Sequence, residues 1–269
     1  MLDINIKNRF SIERIFDFAN KTCRTSKPIP VVGRINELLN SHGLKHSQLL
    51  NVVPREWNWT LANVADDNRL LSSVDNDVLN WFATTFNVTR AWLEEASDEV
   101  HEFIWGYKNL LRFFREIADL GWNSPQLCMA ILAENYNTKY PALHRYAIVF
   151  SLPAINLESI DKTIYKHRLF EHVWNYHHPP CVRDTKAVAR WFAMRQTSIR
   201  PIPIIPVKSP DFQSIADGKK LLPKIWTENI GGFDRFEDRV LYESESACAK
   251  EAKFLDGIIE YLDSVLPPR

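Results

Sequence analysis

The sequence predicts a mainly α protein, α+β overall, in which a bundle of five short helices precedes a larger α+β domain. Three observations carry this expectation. Between residues 34 and 96, five short stretches place apolar side chains at helical spacing and are separated by turn and capping residues. Tyr146–Leu152 (YAIVFSL) is a run of β-formers long enough for a buried strand. The chain has 269 residues, 45% hydrophobic and 25% charged, a balance that suits one large or two small globular domains and argues against disorder.

Ahead of the bundle, residues 11–20 place Ile12, Ile15, Phe16 and Phe18 or Ala19 on one side of a helix that Ser11 caps. Lys27-Pro28-Ile29-Pro30 is extended, because proline disfavours helix at the residue before it. Residues 1–32 therefore read as a helix and linker, and 33–97 as the bundle. Arg34–His42 carries Ile35, Leu38 and Leu39 and ends at Gly43. Lys45–Val53 carries Leu49, Leu50, Val52 and Val53, with Pro54 after it. Trp57–Ala65 carries Leu61, Ala62 and Val64. Val74–Phe86 has a regular 3.6-residue stripe through Val78, Leu79, Phe82 and Phe86, and Thr89 caps a short last helix with Ala91, Trp92 and Leu93.

Residues 98–269 form the α+β domain. Glu99–Leu120 reads as a longer helix closed by Gly121, and Ser124-Pro125 opens another through about Asn135 with proline at its first position. For residues 163–176 strand and helix both fit. Asp184 caps a helix through about Arg195, and the three prolines of 201–207 demand an extended edge or loop. Asp211–Asp217 is a short helix closed by Gly218, Val240–Glu243 a short strand, and Ser244 opens a terminal helix to about Val265. The sequence has no internal repeat and no low-complexity segment.

The net charge is zero, but its distribution is uneven. Residues 1–58 hold 9 Lys+Arg against 5 Asp+Glu, 59–161 hold 7 against 14, 162–208 hold 9 against 2, and 209–269 hold 8 against 12. Two basic blocks, the early chain and 162–208, can attract phosphate; each can equally be a solvated face opposite an acidic neighbour. No apolar run reaches the roughly 18–20 residues of a membrane span, and the start MLDINIKNRF lacks a signal-peptide pattern. Cys23, Cys128, Cys181 and Cys248 form no CxxC pair, so free thiols in a reducing cytoplasm are expected. Neither GxGxxG nor GxxxxGK[ST] occurs.

Within 34–96, three pieces resemble the lambda-repressor-like (Cro/CI, XRE-type) helix-turn-helix family. RINELLNSHGL (34–44) is similar to its first helix and glycine exit, and KHSQLLNVV (45–53) to its second. DVLNWFATTFNVTRAWLEE (77–95) is similar to its fourth helix, the Asn87-Val88 turn and a short fifth helix with Trp92-Leu93. The middle departs from the pattern. Val53-Pro54-Arg55-Glu56 stands where the family has Gly-Val-Ser, Leu50 where it has Ala, helix 3 is tryptophan-rich, and the 65–73 loop is longer. The resemblance implies that helix 3 enters the major groove of double-stranded DNA. Lys45, His46 and Ser47 would then meet phosphates at the start of helix 2. Arg55, Asn58, Thr60 and Asn63 would lie on or beside helix 3, where Arg suits guanine and Asn adenine. Arg69 would reach phosphate or be solvated, and Trp57 and Trp59 would be core or groove wall.

The remaining chain offers no catalytic motif. The His-Glu pair His101-Glu102 runs HEFIW and lacks the second His of HExxH, and no persuasive Ser–Lys pair for self-cleavage is present. Glu94-Glu95 and Glu237-Asp238 are adjacent carboxylates, which splay apart and read as solvated. His167, His172, His177, His178 and Cys181 are five potential ligands in 15 residues, but their spacing puts His167 and His172 on different faces, and no metal is expected. A basic surface with Trp174, Tyr176, Trp191 and Phe192 for an anion or a nucleic-acid strand is the other reading, and an aromatic core beneath exposed Arg and Lys the plain one. The expectation is a cytoplasmic, homodimeric, sequence-specific transcriptional regulator that binds DNA, uses no cofactor and is not an enzyme. Residues 98–269 would serve dimerisation or sense a small anionic effector. The alternative is an interaction protein, an antitoxin or phage-type factor, whose degenerate helix-turn-helix binds protein; an unrecognised C-terminal enzyme is the third.

Overall fold

The computed structural model describes residues 30–119, 126–137, 143–195 and 202–222, with five further positions between 253 and 264. Helix α1 (Pro30–Ser41) starts on a proline, whose fixed φ suits a first helical position, and buries Val32, Ile35, Leu38 and Leu39. Gly43, at φ 63°, turns the chain out of it. Two 3₁₀ turns follow, His46–Asn51 and Arg55–Trp57. Helices α2 (Asp67–Ser73), α3 (Asn76–Phe86) and α4 (Arg90–Leu93) are each capped by a side-chain oxygen. Asp66 accepts from the Arg69 N–H, Asp75 from that of Val78 and Thr89 from that of Trp92. Asn87 closes α3 at φ 52°. Arg90 then binds α4 back to α3 through the Asn76 carbonyl at 3.3 Å and the Asn80 side chain. Asp75→Ala should cost about 1 kcal/mol of stability, the usual value of an N-cap; a urea midpoint unchanged from that of the parent chain would refute the cap's contribution.

The rest is a mixed sheet with helices on both faces. Its elements are β1 (Phe103–Ile104), α5 (Leu110–Asp119), β2 (Cys128–Glu134), β3 (Arg145–Leu157), β4 (Lys162–Phe170), β5 (Trp174–Asn175), α6 (Pro179–Arg195), β6 (Ile204–Val207) and α7 (Ser209–Ala216). The strand order is β1-β4-β3-β2-β6, with β5 also paired to β3. β1 runs parallel to β4 and β6 parallel to β2, while β2–β3 and β3–β4 are antiparallel, with Ile131 opposite Ile148. Alternation decides which face each side chain meets. Met129, Ile131, Ile148 and Phe150 pack with Phe113, Phe114 and Ile117 of α5 and with Val188, Trp191 and Phe192 of α6. Ala130, Leu132, Ala147 and Val149 pack with Phe212, Ile215 and Ala216 of α7. The core beneath α1–α4 continues onto Leu157 and Ile164 of the β3–β4 hairpin and onto Leu221.

The fold class is therefore mixed α+β with helices at the N-terminus, and several elements differ from expectation. Residues 30–93 hold four α-helices and two 3₁₀ turns rather than five α-helices at the expected places. Within Lys45–Val53 the chain forms only the 3₁₀ turn His46–Asn51, and Trp57–Ala65 contains no α-helix, because Asn58 takes a left-handed conformation directly after the Arg55–Trp57 turn. The 65–73 segment holds a helix, α2, where a loop was expected. Glu99–Leu120 is not continuous: β1 and the glycine-containing segment before α5 interrupt it. Of Ser124–Asn135, Cys128–Glu134 is a strand, buried from Cys128 through Ala133, a short apolar run that periodicity cannot tell from a helix. Residues 163–176 resolve as strands β4 and β5. α6 begins at Pro179 rather than Asp184. The expected elements at 11–20 and 240–243 lie outside the described residues, as does the terminal helix apart from the five positions, all helical.

Candidate functional site

The residues expected to meet DNA do not share one helix. Lys45 and Ser47 are exposed at the start of the first 3₁₀ turn. His46 between them turns back, its Nδ1 2.9 Å from Asn36 Oδ1. Arg55 is exposed on the second turn. Asn58 sits at φ 52° and donates its amide to the Glu56 carbonyl at 3.0 Å. Thr60 and Asn63 are brought together, but for an internal purpose. Asn63 Oδ1 accepts from the Thr60 N–H at 2.8 Å and its amide donates to Ser73 Oγ at 3.0 Å. Arg69 lies 3.6 Å from Asp66. Residues 33–97 hold 5 Lys+Arg against 8 Asp+Glu, a net −3 that opposes a polyanion. The surface beside these turns is apolar instead: Leu61 is 71% exposed, Leu71 is exposed, and Trp57 packs on Trp59 and Trp81 with ring centroids 5.3 Å apart.

Three imidazoles meet where the helices rest on the sheet. His42 follows α1, His101 precedes β1, and His167 is on β4. His42 stacks on His167 at 5.8 Å, and Ser151 Oγ lies 2.7 Å from His167 Nδ1. Asn87 bridges the set, donating to the His167 carbonyl at 2.7 Å and carrying the carbonyl 3.2 Å from His101 Nδ1. His101 Nε2 is buried with no hydrogen-bond partner among the described residues. Burial holds the pKa of His42 at about 4, helped by His101 and Lys162, and that of His101 at about 4, helped by Arg168 and opposed by the Asn87 carbonyl. Burial, then His42 and His101, also hold His167 well below the usual imidazole range. Ser151 and His167 have the contact of a nucleophile and its base, and both are buried.

An open groove of about 610 Å³ lies at the carboxyl ends of the parallel strands β1 and β4, a place where sheet proteins commonly hold ligands. Phe103, Trp105 and Tyr107 supply its aromatic wall, Glu171 and His172 follow β4, and Asp217 follows α7. Glu171 is the organiser: one carboxylate oxygen accepts from the Gly106 N–H at 2.9 Å and the Tyr107 N–H at 3.3 Å, and the other lies 2.8 Å from His172 Nε2. Gly106, Lys108 and His172 all have positive φ, at 149°, 59° and 66°. The Val100 N–H donates to the Gly218 carbonyl at 2.7 Å and so sets Asp217 beside this wall. Glu116 accepts from the Trp105 N–H, and burial raises its pKa. The Tyr107 hydroxyl lies 3.4 Å from Cys181 Sγ; that contact, then burial, pushes its pKa up to about 12.

Sequence reasoning missed this groove, since no motif joins residues 103–107 to 171–172 and 217. The available signal was the alternation of Phe103, Trp105 and Tyr107, whereas the helical reading of Glu99–Leu120 turns Phe103, Ile104 and Tyr107 inward. The five candidate ligands of 167–181 disperse: His167 enters the buried cluster, His172 pairs with Glu171, His177 lies 2.7 Å from His144, and His178 is 3.3 Å from Cys181. Among the described residues no group of three or more His, Cys, Asp or Glu is arranged to hold a metal ion. In the basic block, Arg168 pairs with Glu102, Arg183 with Asp184 and Arg190 with Asp256, so much of its charge faces carboxylates. Cys128 and Cys181 are buried thiols. Among the described residues no helix is long and apolar enough to cross a membrane. No protein-family model, no curated protein and no solved structure matches the chain.

Proposed function

We propose that the chain is a cytoplasmic regulatory protein whose N-terminal helical module binds a protein partner. The observation that carries this reading is the fate of residues 55–66. The segment that would enter the major groove is folded as turns, with Asn63 committed to Thr60 and Ser73, and it presents Leu61 and the Trp57–Trp59–Trp81 cluster on a net-acidic module. Half-buried aromatic rings beside exposed aliphatic side chains favour protein contacts over phosphate. Under this reading a photo-crosslinker at position 61 captures a partner, Trp59→Ala abolishes the capture, and the purified chain binds no random-pool duplex in a salt-dependent way. Duplex binding that weakens steeply between about 50 and 200 mM salt would overturn it.

The second reading is the DNA-binding regulator, a homodimer on two half-sites. It is favoured by the exposure of Lys45, Ser47 and Arg55 on successive turns and by the α3–Asn87–α4 arrangement with its Thr89 cap. Its signature is distinct: Lys45→Ala weakens binding to all duplexes alike, whereas Arg55→Ala changes which sequence is preferred.

A further inference from the structure

We propose that the groove at the carboxyl ends of β1 and β4 binds an organic cation, a guanidinium or alkylammonium group. The site is separate from the helical module, and the proposal stands whichever partner that module takes. Its wall is aromatic, with Phe103 and Trp105 edge-to-face at 6.4 Å and Tyr107 edge-to-face with His172 at 5.2 Å. Trp105 is 45% exposed although it is among the largest apolar side chains in the protein, so its ring has surface left to cover. Among the described residues, the charged side chains lining the groove are the carboxylates Glu171 and Asp217, and no Lys or Arg lines it. Aromatic faces combined with carboxylates are how proteins hold cations, because the negative ring quadrupole and the formal charge add.

The rings already attract the cations within reach. The Arg112 guanidinium lies 5.8 Å from the Trp105 centroid and the Lys108 ammonium 5.0 Å from that of Tyr107, both from α5 or the turn before it. Arg145 is taken up by Glu134 at 2.9 Å and Gln213 at 2.8 Å, and Lys220 by Asp211 of α7. His172 is held at Glu171. The Glu171 carboxylate fixes the Gly106–Tyr107 wall, and Asp217, exposed and bonded to Gln213 through Oδ1 at 2.8 Å, is the carboxylate open to a ligand. A small anion would face these two carboxylates, so the groove does not suit the anionic effector that the charge blocks alone suggest.

The test is calorimetric titration of the full-length chain with spermidine, with N-acetylarginine amide and with citrate. At least one cation is expected to bind one-to-one, and citrate to bind no more than weakly. Asp217→Asn and Trp105→Ala should each weaken the cation about tenfold, while Trp105→Phe retains most of the affinity. Both substituted positions are exposed, and melting curves of the variants confirm that they fold. Preference for N-acetylarginine amide identifies a basic side chain of a partner as the source, and preference for spermidine a free polyamine. Failure of both cations to bind below about 10 mM, tighter binding of citrate, or equal binding by Trp105→Ala and Asp217→Asn overturns the proposal.

Discussion

Lowering the pH from 7 to 5 will destabilise this protein steeply, and the loss will originate in His42, His101 and His167. All three are neutral when folded, because burial holds their pKa values down, to about 4 for His42 and His101. In the unfolded chain each takes a proton near pH 6.5. Below that pH the unfolded state binds more protons than the folded one, so stability falls as pH falls. The loss begins near 6.5 and is complete near 4, where the folded imidazoles also protonate. At about 1.4 kcal/mol per pKa unit, His42 and His101 each contribute roughly 3 kcal/mol over that window, and His167 acts in the same direction. A domain of ordinary stability has about 5–15 kcal/mol to lose. The neighbours worsen the burden, since Lys162 and Arg168 are cations facing the cluster, and Glu102 is paired to Arg168 rather than to an imidazole. Glu116, whose pKa is raised, works the other way, becoming stabilising as the pH drops, but it is a single carboxyl in a partly exposed site. Urea midpoints at pH 7, 6 and 5 measure the effect. His101→Asn keeps a donor near the Asn87 carbonyl and removes the titration, and together with His42→Asn it should flatten the pH dependence. A double variant with the same slope as the parent chain would place the acid sensitivity elsewhere.

The junction also shows where sequence could and could not lead. The amphipathic stripe of 76–86, the Thr89 cap and the β-formers of 146–152 were legible because each signal is local: spacing, a cap, a run. The helix expected at 57–65 failed because Asn58 takes a left-handed turn, a choice that hydrogen bonds of Asn58 and Asn63 stabilise and that apolar spacing does not encode. Cys128–Glu134 failed for a different reason. A central strand buried on both faces loses its alternation, so only its partners β3 and β6 define it. The groove was invisible because its parts come from three separated segments, and the helical reading of 99–120 placed Phe103 and Tyr107 in a core.

That misreading turns on Gly106, and Gly106→Ala is expected to damage the sheet domain more than Gly218→Ala, where the nearest atom is a ring carbon at 3.0 Å. At φ 149° its backbone occupies a region that side chains rarely adopt. A Cβ there would stand 2.5 Å from Phe113 Cβ and 2.7 Å from its Cα and N. Those are not atoms that can swing aside. Phe113 is fully buried in α5, its ring 4.4 Å from Phe170 and 5.5 Å from Phe150. The overlap must be relieved by moving α5 off the sheet or by turning the β1–α5 connection. Overpacking costs about 1–3 kcal/mol and a forced conformation about the same again, so the total is roughly 2–6 kcal/mol and the melting point should drop by roughly 10 °C. The same movement withdraws the Gly106 and Tyr107 N–H groups from Glu171, so the groove wall loosens and cation binding weakens with the fold. Gly257 is the control: it is helical, a Cβ there meets no atom of the described residues within 4 Å, and Gly257→Ala should leave the melting point unchanged or raise it slightly. If Gly106→Ala melts within about 2 °C of the parent chain, α5 does not pack on the β1 connection as closely as the structure has it, and the Tyr107 wall of the groove loses its support.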